Sequence, residues 1–140
     1  MTDWIFQGNG KHYDLDAALA ASPVRSWRTP RYRDRTAAGD PVWLQVAGRA
    51  EAGIYYLATI AAATYEDPEW RDGDSPYARW RTDVRFEYRI DPPLLRAELL
   101  ATAALASFRP FRGFQGSTVP LPPDIAAALR ERASPRLDPF

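Results

Sequence analysis

With 140 residues, 46% of them hydrophobic and 13% aromatic, the chain has the size and composition of one globular domain with a real core, and it is too short for a catalytic domain beside a separate binding domain. It contains no cysteine, which excludes disulfides, thiolate zinc sites and cysteine nucleophiles, and its 18 basic residues balance 18 acidic ones, which argues against indiscriminate binding to nucleic acid. No apolar run is long enough to span a bilayer and the N-terminus lacks the basic-then-apolar layout of a signal peptide, so a cytoplasmic location is expected.

The first residues read as a short aromatic strand from Asp3 to Gln7, stopped by Gly8-Asn9-Gly10. Tyr13 to Leu19 then reads as a helix, with Asp14 as N-cap, Leu15, Ala18 and Leu19 on one face, and Ser22-Pro23 as its end. A loop follows that carries Trp27 and five arginines, Arg25, Arg28, Arg31, Arg33 and Arg35, opposed only by Asp34. A guanidinium fork binds phosphate bidentately and stacks on bases, so this cluster suits a nucleic-acid backbone clamp; a solvated loop is the plain alternative.

After a Gly39-Asp40 turn, Val42, Leu44 and Val46 alternate with Trp43 and Gln45, as in a strand that buries its aliphatic face and aims the Trp and the amide the other way. A hairpin loop with Gly48 and Gly53 leads into a second strand that is apolar on both faces, Ile54, Tyr56 and Ile60 on one and Tyr55 and Leu57 on the other, as a covered or closed sheet requires. Residues Tyr65 to Tyr77 form an acidic surface loop. Its Asp67, Glu69 and Asp72 break the alternation of a calcium loop and no terminal Glu follows, so no metal is expected there.

From Val84 to Ile90 the alternation is strict, with Val84, Phe86, Tyr88 and Ile90 on one side and Arg85, Glu87 and Arg89 on the other. Asp91-Pro92-Pro93 supplies a cap and an initial Pro for a helical stretch, one helix or two short ones, through about Ala106, with Leu94, Leu95, Leu99, Leu100 and Leu105. Phe108, Phe111 and Phe114 lie in an irregular stretch, and Pro123-Asp124 starts a last helix with Ile125, Ala128 and Leu129 on its apolar face. The tail after about residue 133 has no pattern and is expected to lack fixed structure. Strands first and helices late indicate one α+β domain with a mainly antiparallel sheet.

Five short motifs carry a resemblance: W-I-F-Q-G-N at Trp4 to Asn9, W-x-x-x-R-Y at Trp27 to Tyr32, G-D-x-V-x-L at Gly39 to Leu44, A-G-I-Y-x-L at Ala52 to Leu57, and Q-G-S-T-V-P-L at Gln115 to Leu121. In this order they resemble the EVE family, which belongs with the YTH readers of methylated adenine to the PUA-like group of small β-barrels. The resemblance runs from Asp3 to about Arg132. It implies a PUA-like open barrel of about five to six mainly antiparallel strands with helices packed outside. It also implies a module that holds a modified nucleobase, flipped from its strand, in an aromatic pocket, with DNA or RNA as partner and no cofactor. Modules of this kind often act beside a nuclease or a modification enzyme.

A base removed from its stack regains stacking between aromatic rings while amides and backbone groups read its edge. By resemblance Trp27 is one wall of the pocket, Arg28 and Thr29 supply contacts from backbone and hydroxyl, and Gln7, Gly8 and Asn9 reach the base; a buried core Trp and a plain turn are the structural alternatives. A second wall is expected at position 45, where this chain has Gln45. Trp43 shares the strand face of Gln45, and Trp80, Tyr32 and Phe114 are further candidates. Arg25, Arg31, Arg33 and Arg35 are expected on the nucleic-acid backbone. Enzyme readings fail for want of parts: the chain has one His (His12), one Lys (Lys11) and no Cys, and no Gly-Lys-Ser/Thr phosphate loop. A hydrolase on the same barrel, as in the ASCH group, is a rival, but that group's Gly-x-Lys-x-x-Glu pattern is absent. A protein-binding domain using the Arg and Phe surfaces is a second rival.

Overall fold

The computed structural model describes residues 1–9, 15–29, 31–47, 52–69, 79–113 and 118–140. Seven strands form one sheet: β1 (Trp4–Asn9), β2 (Val24–Arg28), β3 (Pro41–Ala47), β4 (Gly53–Glu66), β5 (Trp80–Leu95), β6 (Thr118–Pro120) and β7 (Leu137–Pro139). Their order is β2-β5-β4-β3-β1-β6, with β7 added on β5. All pairs are antiparallel except β1 with β3, which the chain reaches by a crossover through α1 (Leu15–Ala21) and β2. Although β5, β4 and β3 separate β2 from β1 in the sheet, Trp27 Nε1 on β2 donates to the Gln7 carbonyl on β1 at 3.3 Å. The sheet is therefore curled into an open barrel.

Both faces are buried, each under a different cover. The concave face collects Trp4 and Phe6 of β1, Val42, Leu44 and Val46 of β3, Tyr56, Ala58 and Ile60 of β4 and Val84 and Phe86 of β5, closed by Leu15 and Leu19 of α1. The convex face carries Ile5, Trp43, Ile54, Leu57, Ile90 and Leu94. On it lie α2 (Arg96–Ala101), α3 (Ala103–Ala106) and α4 (Pro123–Ala133) through Leu99, Leu105, Ile125, Leu129 and Ala133, and a 3₁₀ turn through Phe111.

The register departs from simple alternation at bulges. A shift between Ile54 and Tyr56 puts Ile54 on the convex face with Leu57, and Tyr56 on the concave face with Ile60. Similarly, Val84 and Phe86 face the concave core whereas Tyr88 and Ile90 pack on the convex side, because the pairing shifts where Leu57↔Tyr88 gives way to Ala58↔Phe86. Each extra residue flips the side chains beyond it, so one strand serves two cores as the barrel turns.

Other elements differ from the sequence reading. Residues 24–28, read as loop, are the edge strand β2, paired with β5 from Val24↔Arg85 to Arg28↔Arg81. Strand β5 continues through Asp91, Pro92 and Pro93 to Leu95, so the helical stretch starts at Arg96 and breaks into α2 and α3 at Thr102. The tail is ordered: a 3₁₀ turn at Ser134–Arg136 and strand β7, paired with β5 over Tyr88 to Ile90, follow α4. The Asp14 cap, Lys11 and His12, Gly48, Asp72 and Phe114 lie outside the described residues.

Candidate functional site

Trp27 sits near the open edge of the barrel. Strand alternation turns it to the concave side, opposite Thr82 of β5, where its ring lies 6.2 Å from that of Phe86. Its edge is fixed by the bond from Nε1 to Gln7 O, and its benzo ring passes so close to β1 that a Cβ added at Gly8 would stand 3.3 Å from Cζ2 and 3.4 Å from Cη2. A side chain at position 8 would press on the indole by a few tenths of an ångström. The residue is partly exposed, and the side chain is set by contacts with β1 and β5.

Gln7 lies in register with Gln45 on the convex-side alternation of β1, so its carbonyl and not its amide meets Trp27. Asn9 is the last residue of β1. Thr29, expected as a hydroxyl contact to the base, is wholly buried and its hydroxyl is bonded within the protein, to the Trp27 carbonyl at 3.1 Å and to Thr82 Oγ1 at 2.8 Å. It supports Trp27 from behind.

Trp43 and Gln45 are not brought to Trp27. They do share a face, but it is the convex one: Trp43 is fully buried under α4, donates Nε1 to Asp3 Oδ2 at 3.0 Å and has Arg130 over its ring at 5.4 Å. Gln45 is 3% exposed and donates Nε2 to the Pro110 carbonyl at 3.0 Å. The physical reason is that β3 is a central strand covered on both sides, so turning away from the aliphatic face leads into a second core.

The arginines divide among three places. Arg25 is partly buried on the Trp27 side of β2, and Arg28 is exposed on its other side in register with Arg81. Arg31, Arg33 and Arg35 are exposed in the loop that runs to Asp40. Two of these are braced by rings, Arg33 at 4.2 Å over Trp80 and Arg35 at 5.5 Å over Tyr32. A guanidinium near a ring face is attracted by the ring and still has N–H groups that can donate to phosphate. Tyr32 has φ 60°, which for a bulky side chain costs about 1 kcal/mol, and its ring rests 6.0 Å from that of Trp4.

Sequence reasoning missed the residues that hold this loop. Asp40, 5% exposed, accepts from Trp4 Nε1 at 3.0 Å and from the Ala37 amide at 3.2 Å through Oδ2, and from the Thr2 amide at 3.4 Å through Oδ1. Arg81 clasps edge strand β2 by donating Nε to Ser26 Oγ and Nη2 to Ser26 O, both at 2.8 Å. The adjacency of Gly39 (φ 94°) and Asp40 was the available signal for the first; nothing local marks the second. Nearby, the Tyr65 hydroxyl is held above its ordinary pKa, first by burial and then by its 2.7 Å bond to Asp83 Oδ1, so it remains a protonated phenol. Among the described residues no three His, Cys, Asp or Glu gather to hold a metal. An open cleft between Met1–Asp3 and Pro120–Pro123 takes in Arg35 and no other residue expected in the site.

No protein-family model and no curated protein matches the sequence. Solved structures do. A protein of Leishmania major superposes with a TM-score of 0.79 at 20% identity, covering 96% of each chain. Human THYN1 in complex with 5-methylcytosine-containing DNA gives 0.71 at 18% identity, covering 95% of this chain and 98% of that one. The YTH domain of Zygosaccharomyces rouxii MRB1 in complex with N6-methyladenosine RNA gives 0.54 at 13% identity, covering 93% and 86%. At such identities the likeness is one of fold, and the fold is the PUA-like open barrel with outer helices that this chain shares with THYN1 and the YTH domain.

Proposed function

We propose that the chain is an EVE-type reader without chemistry of its own, which takes a modified base derived from cytosine or adenine out of a DNA or RNA strand and stacks it on Trp27. The observation that carries this reading is the setting of Trp27: a partly exposed residue whose indole is fixed along its edge by Gln7 O and Gly8 and lies beside Phe86, on the strand that leads into an arginine-bearing loop. A ring held in this way loses no rotamer freedom on binding, so stacking contributes its full free energy.

Two proteins of the same fold are seen in complex with methylated nucleic acid, one with 5-methylcytosine DNA and one with N6-methyladenosine RNA, and this supports the same use of the barrel here. One methyl group discriminates by only about 1–3 kcal/mol, so the rest of the affinity must come from the strand that carries the base. Arg25, Arg31, Arg33 and Arg35 are suited to that part. The test is titration of short oligonucleotides, DNA and RNA, with one central cytosine or adenine methylated or plain. Tighter binding of a methylated strand is expected; equal affinity for every member of each pair would overturn the reading.

A further inference from the structure

Four threonines from four segments form a single file of hydroxyls. Thr36 in the arginine loop and Thr64 on β4 are 2.7 Å apart, Thr64 and Thr82 on β5 are 2.7 Å apart, and Thr82 and Thr29 are 2.8 Å apart. The file ends on the Trp27 carbonyl, 3.1 Å from Thr29 Oγ1. A hydroxyl has one proton and a carbonyl can only accept, so the whole file has one polarity. Thr29 donates to Trp27 O, Thr82 to Thr29, Thr64 to Thr82 and Thr36 to Thr64, and the Thr64 amide closes the far end by donating to Thr36 Oγ1 at 2.9 Å. Thr29 and Thr82 are fully buried, where a broken link would leave an unpaired polar group and where hydrogen bonds in series strengthen one another.

The file joins an edge strand to a loop. Strand β2 is an edge strand, hydrogen-bonded in the sheet to β5 alone, and the arginine loop lies outside the sheet. Trp27 and Tyr32 rest against the same core and Arg33 lies over Trp80, and to these contacts the file adds a hydrogen-bonded link from the loop to the Trp27 carbonyl. We propose that the threonine file is a spacer that fixes the distance between the base wall and the phosphate-binding loop, so that one strand of nucleic acid engages both at once; Thr36, Thr64 and Thr82 are its positioning residues. This rests on the reader function proposed above. Two contacts on one ligand reinforce each other through the effective concentration of the second, and that concentration falls when their spacing is no longer held.

The experiment compares two probes on the intact chain: a free methylated nucleoside, which meets only the base wall, and a short oligonucleotide carrying the same base. Thr36→Val removes the hydroxyl at the less buried end and keeps the shape, and Thr36→Ser restores it. The expected result for Thr36→Val is a roughly tenfold loss of oligonucleotide affinity and a shallower salt dependence by about one phosphate, with nucleoside affinity within about twofold of wild type. Thr36→Ser should recover the oligonucleotide affinity. Unaltered oligonucleotide binding in Thr36→Val, or an equal loss on both probes, would overturn the spacer. A wild-type chain with no preference for a methylated probe would sink the reader function and the spacer with it, whereas preference with an unaltered Thr36→Val sinks the spacer alone.

Discussion

Replacing Trp27 with alanine separates the base wall from a core residue more sharply than any other substitution. An indole side chain carries about 200 Å² of surface; Trp27 is partly buried, so roughly two thirds or more of that leaves water on folding, which at about 25 cal/mol per Å² contributes about 3–4.5 kcal/mol. Alanine retains a little of this, and the 3.3 Å bond to Gln7 O is long, contributing at most about 1 kcal/mol. Trp27→Ala should therefore cost about 3–4 kcal/mol of folding stability, a fall of roughly 10–14 °C in Tm, and leave a domain of this size folded. Binding should suffer differently. Stacking of one base on one ring contributes about 1–3 kcal/mol, so affinity for a methylated oligonucleotide should drop about 5- to 150-fold, to that of the plain strand.

The assay pairs a melting curve with titration of methylated and plain oligonucleotides, and Trp43→Ala is its counterpart. Trp43 is fully buried and bonded to Asp3, so its truncation should cost more, about 5 kcal/mol, while any folded fraction keeps the preference for the methylated strand. A Trp27→Ala protein that still prefers the methylated strand would refute the role of the indole. A loss of stability as large as that of Trp43→Ala would refute the reasoning about its partial exposure.

Other expectations follow from the same geometry. Arg31→Ala with Arg33→Ala should flatten the dependence of log affinity on log salt by about one to two, without altering the ratio of methylated to plain binding; an unaltered slope in a salt series would return the loop to solvent. Gly8→Ala places a methyl carbon 3.3 Å from Trp27 Cζ2, close enough to push the indole aside by a few tenths of an ångström, so it should weaken methylated-strand binding several-fold with a change in Tm of only a few degrees. Wild-type affinity in that variant, measured by the same titration, would mean the ring has room. Glu98 joins α2 to α4 and the tail by accepting from Arg136 at 2.9 and 2.5 Å and from Arg132 at 2.9 Å, and the Arg136 hydrogen bonds, above all, hold its carboxyl below the ordinary glutamate value despite partial burial. The ionised form thus contributes stability in full above about pH 4.3 and loses it as pH falls through the lower folded value. Glu98→Gln should lower Tm at neutral pH and flatten the acid limb of a Tm–pH plot; an acid limb as steep as wild type would exclude Glu98 as its source.

Much of the fold is legible in the chain, and the parts that are not have identifiable causes. Leu15 and Leu19, the V-x-L-x-V of β3 and the Ile125/Leu129 stripe are local patterns that local burial obeys. The alternation from Val84 to Ile90 is equally clear, yet it does not describe one face, because a bulge depends on the partner strand and leaves no mark in its own residues. Strand β2 was illegible for another reason. Val-Arg-Ser-Trp-Arg has too little apolar alternation to announce a strand, and it is held in the sheet by Arg81, Thr82 and Pro23, which lie in β5 or before β2.

The two tryptophans show where the site itself stops being readable. Trp27 stands between Ser26 and Arg28 and Trp43 between Val42 and Leu44, and each donates its indole N–H to a group on or beside β1. Those neighbours differ in polarity, but they do not say which indole keeps an exposed surface. What differs is place in the sheet: β3 has neighbours on both sides and a core on both faces, whereas β2 has one neighbour and a concave face that opens at the barrel's edge. Openness is thus a property of strand order, and strand order is set by pairings such as Trp27↔Thr82 and Trp43↔Leu57 between residues distant in the chain. A wall for a ligand needs a ring that is fixed on one side and uncovered on the other. Within this barrel an edge strand can provide that, since its inner face meets the core only partway, and a central strand cannot. Of the two, Trp27 on the edge strand is partly exposed and Trp43 on the central strand is fully buried.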